Sequence, residues 1–585
     1  MAEAPPIITT AEQLATAIGP LSRMPMIAVD CETSGLDPLA DDLLLLQLGD
    51  DRTQFVVDCR RVDLAPLAPL LAGPAPKVMH NGKFDYKFLA ARKGLFVGNV
   101  VDTMLVEMLL TNGVPRPSYS LRALAAALLG EDLPKEERTT FEGHAGDFTQ
   151  AQIDYARRDV RVAYRVLLAQ MPRLAAQGLE RVAKLECGVV PAFGDMELAG
   201  VHVDRERWRA ALAREETRRD DARRELDRVF APWADRDLFG AVLINYDSEE
   251  QVKAALAKAG VALDDTAEPT LRAVGHPAAR ALLDYREHQK AVTTYGESFL
   301  AHVHPKTGRV HPHFQQLGAE SGRVSCRDPN LQNVKSGSEF RACFTAPEGR
   351  RIVTADYAGC ELRIIAEASR DPVFLATFRE GGDLHSIVAT AMFGKPVSKT
   401  VHADLRQVAK AINFGLAYGM GSQGLAIQIG ATPERAEELM NRYFATYARI
   451  RDYLESSARQ AIARGYSETF LGRKRYWTMP EDPDSPEGRR QMGRIRRQAK
   501  NHPVQGTNAD MIKLALIWLR ERTRAQGLDA RVVNMVHDEL VVECDAGRAR
   551  ETADLVRETM VEAGRQFVHS VPIEVDVSIG DHWSK

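Results

Sequence analysis

Two separated stretches of this chain end apolar runs on acids. RIVTADYAGCELRIIA carries Asp356, and in VVNMVHDELVV two β-branched runs flank His537, Asp538 and Glu539 with no Gly or Pro between them. Acidic side chains are poor strand formers, so adjacent carboxylates at the tip of an expected hairpin need a reason to be there. Brought together, two such strand ends can hold a pair of divalent cations for phosphoryl transfer. Taken alone, His-Asp-Glu at a turn reads more often as a solvated loop than as a metal site. A third acidic strand end lies near the N-terminus, where MIAVDCETSGLD places Asp30 and Glu32 two apart, on one face of a strand. Like charges so close repel by about 4 kcal/mol at 4 Å and intermediate dielectric unless a cation lies between them. Further along, HNGKFDYKF offers Asn81 and Asp85 on a helical turn, and YARRD sets Tyr155 and Asp159 at the spacing that shares a helix face.

A different chemistry is written around QVAKAINFGLAYGM. Arg406, Lys410, Phe414 and Tyr418 recur every four residues, which makes a slowly drifting stripe on a helix with cations first and aromatics after. A cationic turn can hold a nucleotide triphosphate by charge-assisted hydrogen bonds, and an aromatic turn can meet sugar and base. An amphipathic core helix with snorkelling basic side chains would have the same pattern.

Elements must position these groups. At 585 residues with 45% apolar content, the chain should divide into several domains with their own cores. A net charge of −4 does not exclude nucleic acid, because net charge says little where basic and acidic residues are segregated along a chain, and local clusters decide it. The seven cysteines are scattered and never spaced as C-x-x-C, so neither a disulfide framework nor a zinc site is expected. MAEAPPIITTAEQL lacks the pattern of an export signal, and LLLL at 43–46 is too short to span a bilayer. A cytoplasmic protein with no membrane association is expected. Up to residue 174, short apolar runs alternate with helical stretches, an α/β pattern. Residues 175–299 read as long, exposed, charged helices, and strands and helices mix from residue 308 onward. The loop EDPDSPEG reads as a flexible segment or an ordinary surface turn.

The ordered N-terminal set resembles the DEDD exonucleases with a tyrosine in the third motif. That resemblance implies metal binding by Asp30, Glu32, Asp85 and Asp159, with Tyr155 orienting the attacking water. Over nearly its whole length the chain resembles the family A DNA polymerases, the class that includes the large fragment of bacterial polymerase I. DYAGCELR is similar to motif A, the R-x-x-x-K-x-x-x-F-x-x-x-Y-G run to motif B and VHDE to motif C; SGRVSCRDPNLQNV, DLHSIVA, RRQAKNHPVQGTNAD and IGDHW follow the family order. The implied fold is an α/β plus α+β multidomain chain. An RNase H-like 3′-5′ exonuclease domain (residues 1–174) precedes a right-hand polymerase domain (175–585), with thumb about 185–300, palm about 305–380 and 500–585, and fingers about 381–499.

The resemblance also implies roles. Asp356 and Asp538, with the Tyr357 carbonyl, would bind two Mg²⁺ ions in the polymerase site, Mn²⁺ being able to substitute, and the exonuclease site would bind two more. Glu539 would lie beside them and His537 near the primer end. Arg406, Lys410 and His385 would hold the dNTP phosphates, Lys410 also serving as an acid. Phe414 would face the sugar, Tyr418 the templating base, and Glu361 would exclude a 2′ hydroxyl. Arg323, Asn330, Gln332, Asn333, Arg497, Asn501 and Gln505 would contact primer-template DNA. Arginines 214–228 suit a phosphate-gripping thumb, although a solvated helix face explains them equally. Ala358, Gly359 and Cys360 replace the usual Ser-Gln-Ile of motif A, and Lys500 stands where an apolar residue is common. No 5′ nuclease activity is expected, the chain is expected to act as a monomer in a bacterial or phage-infected cell, and no segment identifies an accessory replication partner.

Overall fold

The computed structural model describes residues 5–133, 138–417 and 419–584. Its first sheet has five strands in the order Gln54–Asp58, Leu43–Gly49, Ile27–Thr33, Lys77–Met79, Val100–Asp102. The first three are antiparallel and the last two join in parallel, a mixed arrangement that fits the RNase H-like expectation. The LLLLQLG run is a strand buried along its whole length, which is why it is apolar without alternation. The helix Gln150–Gln177 packs across this sheet. It starts with a Thr149–Gln152 capping box and stops at Gly178 in the left-handed region (φ 63°), so it runs past the boundary expected at residue 174.

Two short helices, Glu180–Gly188 and Val190–Ala199, lead to the charged region. There Arg205–Phe230 and Pro277–Tyr295 pack together around a small core of their own that includes Leu226, Phe230, Tyr246, Leu256 and Leu282. The long charged helices are present as expected.

The second sheet is antiparallel, in the order Ala530–Val536, Glu539–Asp545, Arg350–Tyr357, Val575–Gly580. The helix Ala549–Arg565 packs on this sheet and against the 40-residue helix Pro486–Ala525. The expected fingers–palm boundary at 499/500 falls inside that long helix rather than at its end. Residues 486–488 of the EDPDSPEG loop are its first turn, capped by Ser485. Among the described residues no helix is long and apolar enough to cross a membrane.

Candidate active sites

The hairpin expected around His537 forms, with Val536 paired to Glu539 and His537 in the left-handed region at φ 56°. Glu539 in turn pairs with Asp356 on the next strand, and Asp356 pairs with Asp576 on its other side. Residues directly opposite in a sheet point to the same face, so acids from three strands line up at one end of the sheet. The Tyr357 amide donates to the Asp538 carbonyl at 3.3 Å, which joins the hairpin tip to the end of the Asp356 strand. Burial, and next the Asp356 charge, push the Asp538 pKa up to about 7. A carboxylate pair that resists ionisation is the environment a bound cation would relieve.

Glu539 has a separate occupation. Both its oxygens accept from Arg341 Nη2, at 2.6 and 2.8 Å, and Trp583 Nε1 donates to it at 2.6 Å. The Arg341 guanidinium lies 3.9 Å over the Trp583 ring, so the near-terminal tryptophan closes a buried cassette around Glu539, the strand partner of Asp356. The pairing was not legible in sequence, because Arg341 and the Trp583 of IGDHW lie far from Glu539 along the chain.

After Asp356 the chain turns at Gly359, whose φ of 62° starts the helix Cys360–Ser369. The motif A departure therefore has a backbone meaning: glycine occupies a left-handed position that a branched or bulky residue would strain. Arg363 pins this turn, donating from Nε to the Ala358 carbonyl at 2.8 Å and from Nη2 to Glu574 at 2.6 Å. Glu361, on the first turn of the helix, is buried and receives Arg323 Nη2 at 2.6 Å. Arg323 and His537 border one small cavity of about 10 Å³ together with Gln332 and Asn508. Gln332 Nε2 donates to the Met535 carbonyl at 3.2 Å, and Asn330 caps the short turn Leu331–Asn333.

The helix Ala403–Ala417 carries the cationic stripe. Arg406 forms a two-pronged pair with Asp383, at 2.7 and 3.1 Å. Burial opposes the Asp383 charge, but hydrogen bonds from Arg406 and Ser386 outweigh it and draw the pKa down to about 2. His385 is drawn down to about 4 by burial and the Arg406 charge, with Lys410 contributing, and its Nδ1 lies 3.0 Å from Asn413 Nδ2. Arg406, Lys410 and His385 thus form one basic cluster. Tyr418 lies outside the described residues, and of Phe414 only the backbone is described. Asp383 is the partner that sequence reading missed; its place as a helix N-cap in GGDLHS was the available signal.

Arg497, Asn501 and Gln505 follow one another along the long helix. Asn330 and Asn333 instead line a groove of about 1580 Å³ beside the helix Pro277–Tyr295, with Arg272, Arg280, Arg286, Lys290 and Lys335 around it. Several arginines of the preceding helix are engaged with acids: Arg214 and Arg218 with Glu339, Arg223 with Asp227, Arg228 with Glu225. These pairings favour the reading of that stretch as a solvated helix face.

In the first domain, Asp30 and Glu32 lie on the central strand and Asp85 on the first turn of the helix Lys83–Lys93. Burial and the nearby Asp30 charge hold the Asp85 pKa far above the usual carboxylate range. Burial and the charges of Asp159, Glu32 and Asp30 raise that of Tyr155, which also hydrogen-bonds Asp159. The charges of Asp159, Glu32 and Asp30 thus reach Tyr155, and that of Asp30 reaches Asp85. Asn81 stands outside the helix, at φ 58°, rather than on its turn. That bend is pinned by Asp102, whose carboxylate accepts from the Gly82 amide at 2.7 Å and the Asn81 amide at 3.2 Å while capping the helix Thr103–Leu110. Asp102 was missed, although an acid between an apolar strand and a helix is a readable cap.

Among the described residues no group of three or more His, Cys, Asp or Glu is placed so that it could hold a metal ion. The acids are neighbours that raise one another's proton affinity, and carboxylate oxygens are the donor type that a hard divalent cation takes.

Residues 235–585 match DNA polymerase family A. The chain belongs to that family. Residues 5–174 match the 3′-5′ exonuclease family, so this family A polymerase carries an exonuclease domain at its N-terminal side. The DNA polymerase I of Aquifex aeolicus is 31% identical, the alignment covering 99% of each chain. That of Chloroflexus aurantiacus is 32% identical over 100% of this chain and 64% of its own length, so the chain spans less than two thirds of that relative. Among solved structures, the polymerase domain of Pol1 from M. smegmatis, in complex with DNA primer-template and dNTP, is similar with a TM-score of 0.83 and 30% identity over 99% of both chains.

Proposed function

We propose that this family A polymerase extends a primer 3′ end on a DNA template with dNTPs and removes mispaired ends through its exonuclease domain. The observation that carries the reading is the presence in one chain of two separate carboxylate centres, Asp356 with Asp538 and Asp30 with Glu32, Asp85 and Asp159, each raising the proton affinity of its own members. Asp356, Asp538 and the Tyr357 carbonyl would hold Mg²⁺ in the first, and the four acids of the second would hold it there. Bound divalent ions lower the pKa of the attacking oxygen and offset charge on the phosphates.

The chain's own groups do the rest. Arg406, Lys410 and His385 hold the triphosphate, which requires Arg406 to exchange Asp383 for phosphate oxygens. Lys410, exposed on its helix, is the member of that cluster suited to deliver a proton to the leaving pyrophosphate. Phe414 and Tyr418 serve sugar and base, and the buried Glu361 denies space to a 2′ hydroxyl. Asn330, Asn333, Gln332, Arg323, Arg497, Asn501, Gln505 and His537 hold the duplex. In the exonuclease centre Tyr155 orients water toward the 3′ phosphodiester. The helices of residues 185–300 act as thumb, 305–380 and 500–585 as palm, and 381–499 as fingers, working as a monomer in a bacterial cytoplasm.

The test is a primer-template with a mispaired 3′ end, supplied with Mg²⁺, with and without dNTPs. Trimming alone is expected without dNTPs, and trimming followed by full extension with them. Extension with no prior trimming would remove the proofreading half of the reading, and trimming with no extension the polymerase half.

A further inference from the structure

At about 100° per residue, Lys83, Tyr86 and Lys87 share one face of the helix Lys83–Lys93, and Asp85 falls on the opposite face. Asp85 looks toward Asp30; the other face is keyed into the rest of the chain. Lys83 and Lys87 both donate to the Glu197 carboxylate, Lys87 at 2.6 Å, and the Phe314 amide adds a bond at 2.8 Å. Lys83 also donates to the Phe314 carbonyl. Tyr86, 0% exposed, donates to Asp195 at 2.6 Å. Arg520 reaches Asp195 at 2.7 Å and the Tyr86 oxygen at 2.8 Å, and Arg524 reaches Asp195 at 2.8 Å. Gly194 allows the close approach: a Cβ there would stand 2.3 Å from Tyr86 Cδ1.

All of these partners lie outside the exonuclease match at residues 5–174. Arg520 and Arg524 sit on the same long helix as Arg497, Asn501 and Gln505. A helix gripped by three side chains on one face cannot roll without breaking those bonds, and rolling is the motion that would swing Asp85 away from Asp30.

We propose that Lys83, Tyr86 and Lys87 are positioning residues for the exonuclease carboxylate Asp85, and that Gly194, Asp195, Glu197 and Arg520 make the proofreading geometry depend on the polymerase domain. The proposal rests on the nuclease reading of the first domain.

Gly194→Ala wedges the two helices apart, and Asp195→Asn removes the charge that collects Tyr86, Arg520 and Arg524. Both are made in the full chain. Three quantities are measured: excision of a single-stranded oligonucleotide, extension of a matched primer, and amide hydrogen exchange in residues 83–93 by mass spectrometry. In each variant kcat for excision should fall tenfold or more, with KM and primer extension within twofold of the parent and faster exchange in that helix. Asp195→Glu, which keeps the acceptor, should recover part of the excision rate. Excision within twofold of the parent would overturn the proposal, as would a parallel fall of excision and extension, the mark of general unfolding. Unchanged exchange in both variants would overturn it independently of any activity. Failure of the parent chain itself to excise would instead overturn the nuclease reading, and with it the role of Asp85.

Discussion

At the scale of single residues, each centre is defined by acids that raise one another's proton affinity. Replacing Asp538 by Asn keeps the shape and removes the charge that the proposed polymerase centre would use. Primer extension should fall by more than about a hundredfold, the scale of losing one preorganised electrostatic group. Excision of a single strand should be unchanged. Asp30→Asn should do the reverse, and a paired measurement of both rates on both variants checks the assignment. Glu361 is held by Arg323 at 2.6 Å in a buried position, so its side chain is fixed in place rather than mobile. Glu361→Ala should raise ribonucleotide incorporation, read as the ratio of ribo- to deoxynucleotide insertion; an unchanged ratio would remove the steric role. The same variant leaves Arg323 without its acid, so matched extension should slow as well.

At the scale of elements, the strand next to that of Asp356 is held by side chains as well as by its ladder. Trp583 donates to Glu539 and lies under Arg341, so Trp583→Phe keeps a ring but loses a hydrogen bond to a charged group. A cost of about 2 kcal/mol is expected, as for bonds of that type. Urea denaturation measures it. The last strand and its tail should then loosen, with a matching fall in extension. Much of this was readable in the sequence. The hairpin of Val532 to Val542, the strand ending in Asp30 and Glu32, and the Arg406–Lys410 stripe all rest on local periodicity, which a chain displays before it folds. The grip of Arg341 on Glu539 was not readable, and of Asp383 only the cap was readable and not its pairing with Arg406, since each pair joins segments whose encounter depends on how the sheet and helices close. Asn81 shows the limit at short range: the helical periodicity around it was real, but Asp102 captures the two amides before the helix and bends the chain there.

At the scale of the whole molecule, segments far apart within residues 175–585 are joined through buried charge. Arg473 and Lys513 meet Glu186 and Asp510 with all four side chains 0% exposed, and Lys513 also donates to the Gly322 carbonyl at 2.8 Å, next to Arg323. Glu186→Gln leaves two buried cations facing one carboxylate. A loss of about 3 to 5 kcal/mol is expected for breaking such a network, measured by chemical denaturation. A second global property is acid sensitivity. Burial draws His80, His313 and His385 down to about 4 and His502 to about 3. At these four positions the unfolded chain, with ordinary histidines, binds more protons than the native one, while the raised carboxyls of Asp85 and Asp538 act in the opposite direction. The histidine contribution to stability should be present above pH 6.5 and be lost progressively as the pH drops toward 4. His502→Asn should flatten that fall, seen in the urea midpoint at pH 4.5 against pH 7.5.

The sequence by itself determined which chemistry the chain can do: carboxylates at strand ends, a cationic helix face, and the order of segments that marks a family A polymerase with an exonuclease domain. Those features follow from residue type and spacing, which need no fold to be counted. The tertiary structure alone decided which charges are paired and which stand ready. It set Asp356 beside Asp538, assigned Glu539 to Arg341 and Trp583 and Arg323 to Glu361, and seated the Asp85 helix on Asp195 and Glu197. Such pairings join residues far apart in sequence, and their energies depend on burial and distance, quantities that exist only once the chain has closed on itself.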